Sequence, residues 1–174
     1  MEEDPGTADV RACETLARFS RLLETSVNRT LRREFGISWD ELAVLSLLHA
    51  SPYRFLHITD VAASLAFSRS RASRSVSRQE LLGRLTRSRC PRDARATHVT
   101  LTDGGAALVH RSSGTYEAAV LGGLARLRVG PEQLTDLTDR LAPLTERHGR
   151  PETRGTCASP RQPGHTPVAG SPLS

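Results

Sequence analysis

The chain has 174 residues, 37% of them hydrophobic and 25% charged, which is enough for one ordinary domain and little more. Its net charge is +5 and its pI near 10, and all 24 basic residues are arginine, so the positive charge is permanent and fork-shaped. No stretch approaches the ~18 apolar residues of a membrane helix, and three scattered cysteines (Cys13, Cys90, Cys157) without CxxC spacing speak against a disulfide framework or a zinc finger.

The start, Met1-Glu2-Glu3-Asp4-Pro5-Gly6, has neither the basic end nor the apolar core of a secretory signal, which predicts a cytoplasmic protein. Residues 1–8 read as a loose N-terminus. Apolar residues at Val10, Cys13, Leu16, Ala17, Leu22, Leu23, Val27, Leu31 and Phe35 then step by three and four, one stripe of a long amphipathic helix that Gly36 ends. Ser38-Trp39-Asp40-Glu41 has the form of a capping box and predicts a second helix of about three turns over the run from Leu42 to Leu48. Ser51-Pro52 breaks it, Phe55-Leu56-His57 fits a short strand, and Thr59 is the expected cap of a short helix carrying Val61, Ala62 and Leu65. Ala66-Phe67-Ser68 reads as a tight turn and N-cap, so a further helix opens with Arg69-Ser70-Arg71. Helical spacing turns Ala72 and Val76 inward and leaves Arg69, Ser70, Ser73, Arg74 and Ser77 outside.

Gly83 is a natural stop for that helix. Beyond it, Leu85 to Arg89 and Thr97 to Leu101 are candidate strands joined by the polar loop Cys90 to Arg95. Thr102 caps helical sequence from Ala106 to Leu127, and Pro131 opens a last helix over Glu132 to Arg147, expected to kink at Pro143. From Gly149 onward, five of the ten prolines and four of the thirteen glycines fall among residues with almost no large apolar side chain, the composition of a disordered tail.

Charge is concentrated in one place. Between Ala66 and Thr100 nine arginines (Arg69, Arg71, Arg74, Arg78, Arg84, Arg87, Arg89, Arg92, Arg95) face two acids (Glu80, Asp93), a block of +7 in a chain whose remainder sums to −2. GC-rich codon usage is a sufficient reason for arginine in place of lysine, but it says nothing about position. A short helix, a tight turn and a second helix form a helix-turn-helix, whose second helix lies in the DNA major groove. Forked guanidiniums bond guanine edges or phosphates, and short hydroxyls bond phosphates without crowding the groove. The basic hairpin beyond it reads as a wing, whose tip arginine suits a minor groove.

These residues resemble the MarR family of winged helix-turn-helix regulators from about Ala12 to Leu144. The most specific match is Asp93-Ala94-Arg95 followed by Val99-Thr100-Leu101-Thr102-Asp103-Gly104-Gly105, which is similar to the family's wing signature of Asp-x-Arg, a strand ending Leu-Thr, and a glycine. Trp39-Asp40-Glu41-Leu42, Ile58-Thr59-Asp60-Val61-Ala62 and Ser68-Arg69-Ser70-Arg71 fit its second, third and recognition helices. The resemblance implies a mainly α fold with a small β-wing. It divides residues 9–148 into a DNA-binding core of about 38–102 and dimerisation helices of about 9–35 and 103–148, with a tail over 149–174. It also implies a cytoplasmic homodimer that binds double-stranded DNA as a transcriptional repressor and is released by a small, often aromatic ligand. Ser68, Arg69, Ser70, Arg71, Ser73, Arg74, Arg78, Arg92 and Arg95 are the implied DNA contacts, and Asp93 the wing brace.

The chain departs from the family at Gln79 and Arg84, where leucines are usual. Either the recognition helix is rotated, or Leu81 and Leu82 replace the missing apolar contacts; a copy with weakened DNA binding, serving as a protein-interaction module, is a further alternative. Cys13 is either a small core residue on the apolar stripe or a redox sensor. Trp39 is either a packing anchor or part of a ligand pocket. The histidines (His49, His57, His98, His110, His148, His165) show no paired ligand spacing, so no metal is expected, and no cofactor. With no phosphate loop, nucleophile elbow or HExxH, the reading is not that of an enzyme.

Overall fold

The computed structural model describes the backbone of residues 5–90 and 93–149 and the side chains of residues 9–89 and 97–143. The elements are α1 (Pro5–Phe35), α2 (Trp39–Ala50), β1 (Phe55–His57), α3 (Ile58–Ser64), α4 (Arg69–Leu81), β2 (Leu85–Cys90), β3 (Asp93–Leu101), α5 (Asp103–Arg126) and α6 (Pro131–Gly149). This is the mainly helical winged helix-turn-helix architecture that the sequence predicts. The strands form one antiparallel sheet in the order β1-β3-β2, so the last strand of the hairpin is central.

The helix starts follow their caps. Ser38 Oγ accepts from the Glu41 N–H at 3.3 Å while the Glu41 carboxylate accepts from the Ser38 N–H at 2.7 Å, a closed capping box at the start of α2. Ser68 Oγ accepts from the Arg71 N–H at 3.2 Å and starts α4; Thr102 Oγ1 accepts from the Gly105 N–H at 3.1 Å and starts α5. Thr59 does not cap α3: β1 runs directly into that helix, His57 holds the N-cap position without a side-chain hydrogen bond, and Thr59 lies inside the first turn. Two other boundaries move. α1 begins at Pro5, inside the segment expected to be loose, and β3 starts at Asp93, so the strands run further into the hairpin than the polar loop suggested. α6 continues through Pro143.

The core is where α1, α2, α4, α5 and the sheet meet. Val27 and Leu31 of α1, Leu45 and Leu48 of α2, Val76 of α4, Leu85 of β2 and Val99 of β3 are all at most 1% exposed. Ala72 and Val76 do face inward, so α4 has the rotation that the spacing predicts. Gly83, at φ +67°, turns the chain from α4 into β2, a left-handed conformation that costs glycine nothing. Gly105 is required for a different reason: a Cβ there would run into the Arg84 carbonyl.

The stripe of α1 is only half covered. α1 is ~46 Å long at 1.5 Å per residue, and α5 and α2 pack on its C-terminal part. Ala17, Leu16, Cys13 and Val10 continue the line of Val27 and Leu31 toward the N-terminus, with Leu16 42% and Val10 58% exposed. Leu22, 49% exposed, lies on the opposite face of the helix and leaves the stripe.

A titratable pair, the buried His98 and the half-buried His57, sits in the sheet. His57 and His98 are directly opposite each other in the β1–β3 register, their Nε2 atoms 3.3 Å apart, and the Phe55 ring stands edge-on to His98 at 5.3 Å. Burial pushes the His98 imidazole below its usual pKa, the His57 ring adds to that, and Asp60 opposes it. His98 is therefore neutral in the fold at pH values where the unfolded chain, titrating near ~6.5, has begun to take a proton. The unfolded state then holds more protons, so this contribution is complete above about pH 6.5 and is lost as pH falls through it. Thermal denaturation is expected to show a Tm that declines between about pH 7 and pH 5.5, with a flatter profile for His98→Gln; equal slopes in the two proteins would remove His98 as the cause.

Candidate nucleic-acid interface

The +7 block divides into arginines that the fold consumes and arginines that it leaves free. Four of the seven with described side chains are engaged. Arg71 forks onto Asp40 of α2, Nε to Oδ2 at 2.6 Å and Nη2 to Oδ1 at 2.7 Å, and its guanidinium lies 4.4 Å above the Phe67 ring. Donating to Asp40 raises the Arg71 pKa above the ordinary arginine value; burial opposes this, and the charges of Asp40 and of Glu24 on α1 add to it. Arg78 pairs with the buried Glu41 at 2.8 Å. Arg87 of β2 reaches back to α4, donating to the Ser77 hydroxyl at 2.6 Å and the Ser73 carbonyl at 3.2 Å, with its Nε 3.1 Å from the Glu80 carboxylate but out of line for a hydrogen bond.

Arg84 and Gln79 settle the departure from the family pattern in a way neither expectation allowed for. α4 is not rotated, and Leu81 and Leu82 do not fill in, being 87% and 49% exposed. Instead Gln79 is wholly buried and its Oε1 accepts from Arg84 Nη1 at 3.0 Å. Burial lowers the Arg84 pKa, Glu41 raises it, and Arg78 and Arg111 lower it. One cost remains: the buried Gln79 Nε2 has no acceptor.

The residual face is Ser68, Arg69, Ser70 and Arg74 on α4, all exposed, with Ser73 and Ser77 half-buried beside them. Arg69, Arg74 and the exposed Arg89 of β2 make no ion pair or hydrogen bond among the described residues. No acidic side chain occupies the first turn of α4, so no carboxylate of that turn offsets its positive dipole end. Arg71 and Arg78, both expected on the DNA face, are thus turned to carboxylates of α2. Arg89 belongs to the basic block but not to the expected contacts. Strand alternation places Leu85, Arg87 and Arg89 on one side, and that signal was available.

Of the other expected site residues, Arg92 and the side chains of Asp93 and Arg95 lie outside the described residues. Cys13 is exposed, not a core residue: none of the described residues covers that end of α1. Trp39 is half-buried, its N–H donating to Asn28 Oδ1 of α1 at 2.8 Å and its ring 6.2 Å from that of Tyr116 on α5. A cavity of about 310 Å³ opens between α1 and α5, lined by Ser26, Thr30, Glu34, Thr115, Gly122 and Arg126 among others; Trp39 does not line it. Among the described residues no three His, Cys, Asp or Glu side chains are placed to hold a metal, and no helix is long and apolar enough to cross a membrane.

No protein-family model matches this chain, and no curated protein matches its sequence. Solved structures do match. Sco3205, a MarR family transcriptional regulator from Streptomyces coelicolor solved in complex with DNA, is 28% identical, aligns over 88% of this chain and 97% of its own, and superposes with a TM-score of 0.71. AbsC, a MarR family transcriptional regulator from the same organism, is 26% identical over 80% of this chain and 93% of its own, with a TM-score of 0.68. BpsR of Bordetella bronchiseptica, whose DNA binding is regulated by 6-hydroxynicotinic acid, is 19% identical over 78% of this chain and 98% of its own, also with a TM-score of 0.68. The chain has the winged-helix fold of the MarR family of transcriptional regulators.

The Gln79–Arg84 pair makes an opposite prediction for one substitution and for two. Arg84→Ala leaves the Gln79 amide wholly unpaired and is expected to lower stability by about 1–3 kcal/mol. Gln79→Leu with Arg84→Leu removes the orphaned donor and is expected to be neutral or stabilising by up to about 2 kcal/mol. Urea denaturation of the three proteins reads both; a double variant less stable than Arg84→Ala contradicts the account.

Proposed function

We propose that this chain is a MarR-type transcriptional repressor, a cytoplasmic homodimer that binds double-stranded DNA and is released from it by a small aromatic ligand. The observation that carries the reading is the triplet Arg69, Arg74 and Arg89: three exposed guanidiniums without an ion pair or hydrogen bond among the described residues, on the outer face of the recognition helix and the adjoining wing strand. Arginine in this setting forks onto guanine edges or phosphates, and the Ser68, Ser70 and Ser73 hydroxyls add phosphate donors. Arg92 and Arg95 keep the wing role implied by the family resemblance. Sco3205 was solved with DNA, which supports the same use of the fold here.

A second copy is the proposed cover for the open half of the α1 stripe. Val10 and Leu16 of α1 and Leu121 of α5 are large apolar side chains between 42% and 58% exposed, and burying them offsets the loss of freedom on association. In such a dimer two α4 helices read half-sites about one helical turn, ~34 Å, apart. The ligand reading is supported by the half-buried Trp39–Tyr116 pair, which stands where α2 of the reading head meets the long helices α1 and α5.

Two experiments test this. Leu16→Asp combined with Leu121→Asp is expected to give a folded monomer by sedimentation; a variant that stays dimeric places the interface elsewhere. The parent protein, mixed at low salt with a random-sequence duplex pool, is expected to enrich a pseudo-palindromic site. Arg69→Ala and Arg74→Ala should each weaken binding to it, and the slope of log K against log salt should shrink by about 0.9 for every phosphate no longer neutralised. No enrichment by the parent, or full affinity in both arginine variants, refutes the reading.

A further inference from the structure

The N-terminal half of the recognition helix is held by a junction of three helices. Asp40 of α2 accepts both arms of the Arg71 fork, Glu24 of α1 stands 3.8 Å from the same guanidinium, and Phe67, in the turn before α4, supports it from below. Seven residues further on, two turns along the same face of α4, Arg78 is fixed by Glu41, the neighbour of Asp40. Two guanidinium–carboxylate pairs ~10 Å apart along one helix constrain both its rotation and its tilt, whereas one pair would leave it a pivot.

We propose that Arg71 is a positioning residue, not a DNA contact: the Arg71–Asp40 fork on Phe67 sets the angle at which Arg69 and Arg74 are presented, and ties that angle to α1 through Glu24. This inference rests on the DNA-binding reading above and assigns a role within it. The geometry argues for orientation over bulk stability. Arg71 and Asp40 side chains are 42% and 27% exposed, and partly solvated pairs contribute little to folding. A bidentate fork does fix direction, because both N–H vectors and the plane of the guanidinium are set at once. Arg71 sits between Arg69 and Arg74 in sequence, so a small change in the seat of its side chain moves both neighbours. The guanidinium is already engaged within the fold, with the Asp40 oxygens 2.6 and 2.7 Å and the Glu24 carboxylate 3.8 Å away.

The test uses the full-length protein, the duplex enriched by the parent and a scrambled duplex of equal length. Asp40→Asn keeps shape but removes the carboxylate charge, and Arg71→Lys keeps charge but removes the fork. Both are expected to lower the ratio of specific to scrambled affinity about tenfold, the scale of one base reading, while scrambled binding changes less than twofold. Asp40→Glu, which restores a carboxylate, should recover most of the ratio. In Arg71→Ala the slope of log K against log salt is expected to equal that of the parent, since no counterion is released by a residue that touches no phosphate. A slope smaller by about 0.9 in Arg71→Ala identifies a direct phosphate contact and overturns the proposal, as does an unchanged affinity ratio in both Asp40→Asn and Arg71→Lys. Arg71→Lys keeps charge at the site, so its ratio decides the matter if Asp40→Asn fails to fold. Failure of the parent to enrich any duplex would instead refute the DNA-binding reading itself.

Discussion

Glu41 is a buried carboxylate, and the orientation of the basic helix depends on how it is neutralised. It is 7% exposed, accepts from the Ser38 N–H and pairs with Arg78 of α4. A carboxylate taken out of water without partners costs several kcal/mol, so the start of α2 and the last turn of α4 are not free to separate. One side chain thus closes the cap of one helix and anchors another. Asp40, beside it, takes the Arg71 fork, and the two carboxylates tie α4 to α2 alongside its apolar face. That face is thin: Ala72 and Val76 are its buried apolar members, with Ser75 and Gln79 beside them. A helix this polar would be a poor core element without its ionic ties, and those ties are compatible with the exposed, charged outer face that a DNA-reading helix requires.

How legible this was from the sequence varies by the range of the interaction. Caps are local, so Ser38, Ser68 and Thr102 were readable from three or four neighbouring residues, as was the glycine stop at Gly83. Helical spacing likewise placed Ala72 and Val76 correctly. Thr59 failed because strand β1 supplies the backbone start of α3 and no side-chain cap is needed. Leu22 failed because it is five residues from both Ala17 and Val27, a step that carries it around the helix to its far side. The long-range pairs were not readable at all: nothing near Arg71 in sequence announces Asp40, 31 residues away. The same holds for Gln79 and Arg84, which look like two separate misfits until the fold brings each to the other as its partner.

Charge counting shows the same limit. A block of +7 suggests a densely cationic reading head, with six of its nine arginines expected on DNA, yet Arg71, Arg78, Arg84 and Arg87 each have an internal partner. Their acceptors are few and strategic: two carboxylates at the start of α2, one amide, and the hydroxyl and carbonyl of two serines on α4. Among the described residues, what remains for a partner is a smaller set at defined places, Arg69 and Arg74 on the helix and Arg89 on the strand. Arg87 has a structural consequence of its own, since by bonding Ser73 and Ser77 it fixes the wing strand to the recognition helix. Arg89, two residues on and on the same side of the strand, is therefore held in a constant relation to Arg69 and Arg74.

The absence of lysine has a consequence even if codon usage is its origin. Three of the internal ties use arginine geometry and not merely its charge: Arg71 bonds both oxygens of Asp40, Arg87 serves a hydroxyl and a carbonyl at once, and Arg84 reaches an amide oxygen while partly desolvated. An ammonium is more strongly hydrated and presents no planar fork, so it would hold these positions less rigidly. A composition bias that supplies only forks thus suits a small domain whose recognition helix has little apolar surface. The same forks left over on the outside are the groups best matched to phosphates and guanine edges. Internal order and external recognition draw on one residue type, and what separates the two uses is whether a carboxylate, amide or hydroxyl of the chain itself reaches the guanidinium.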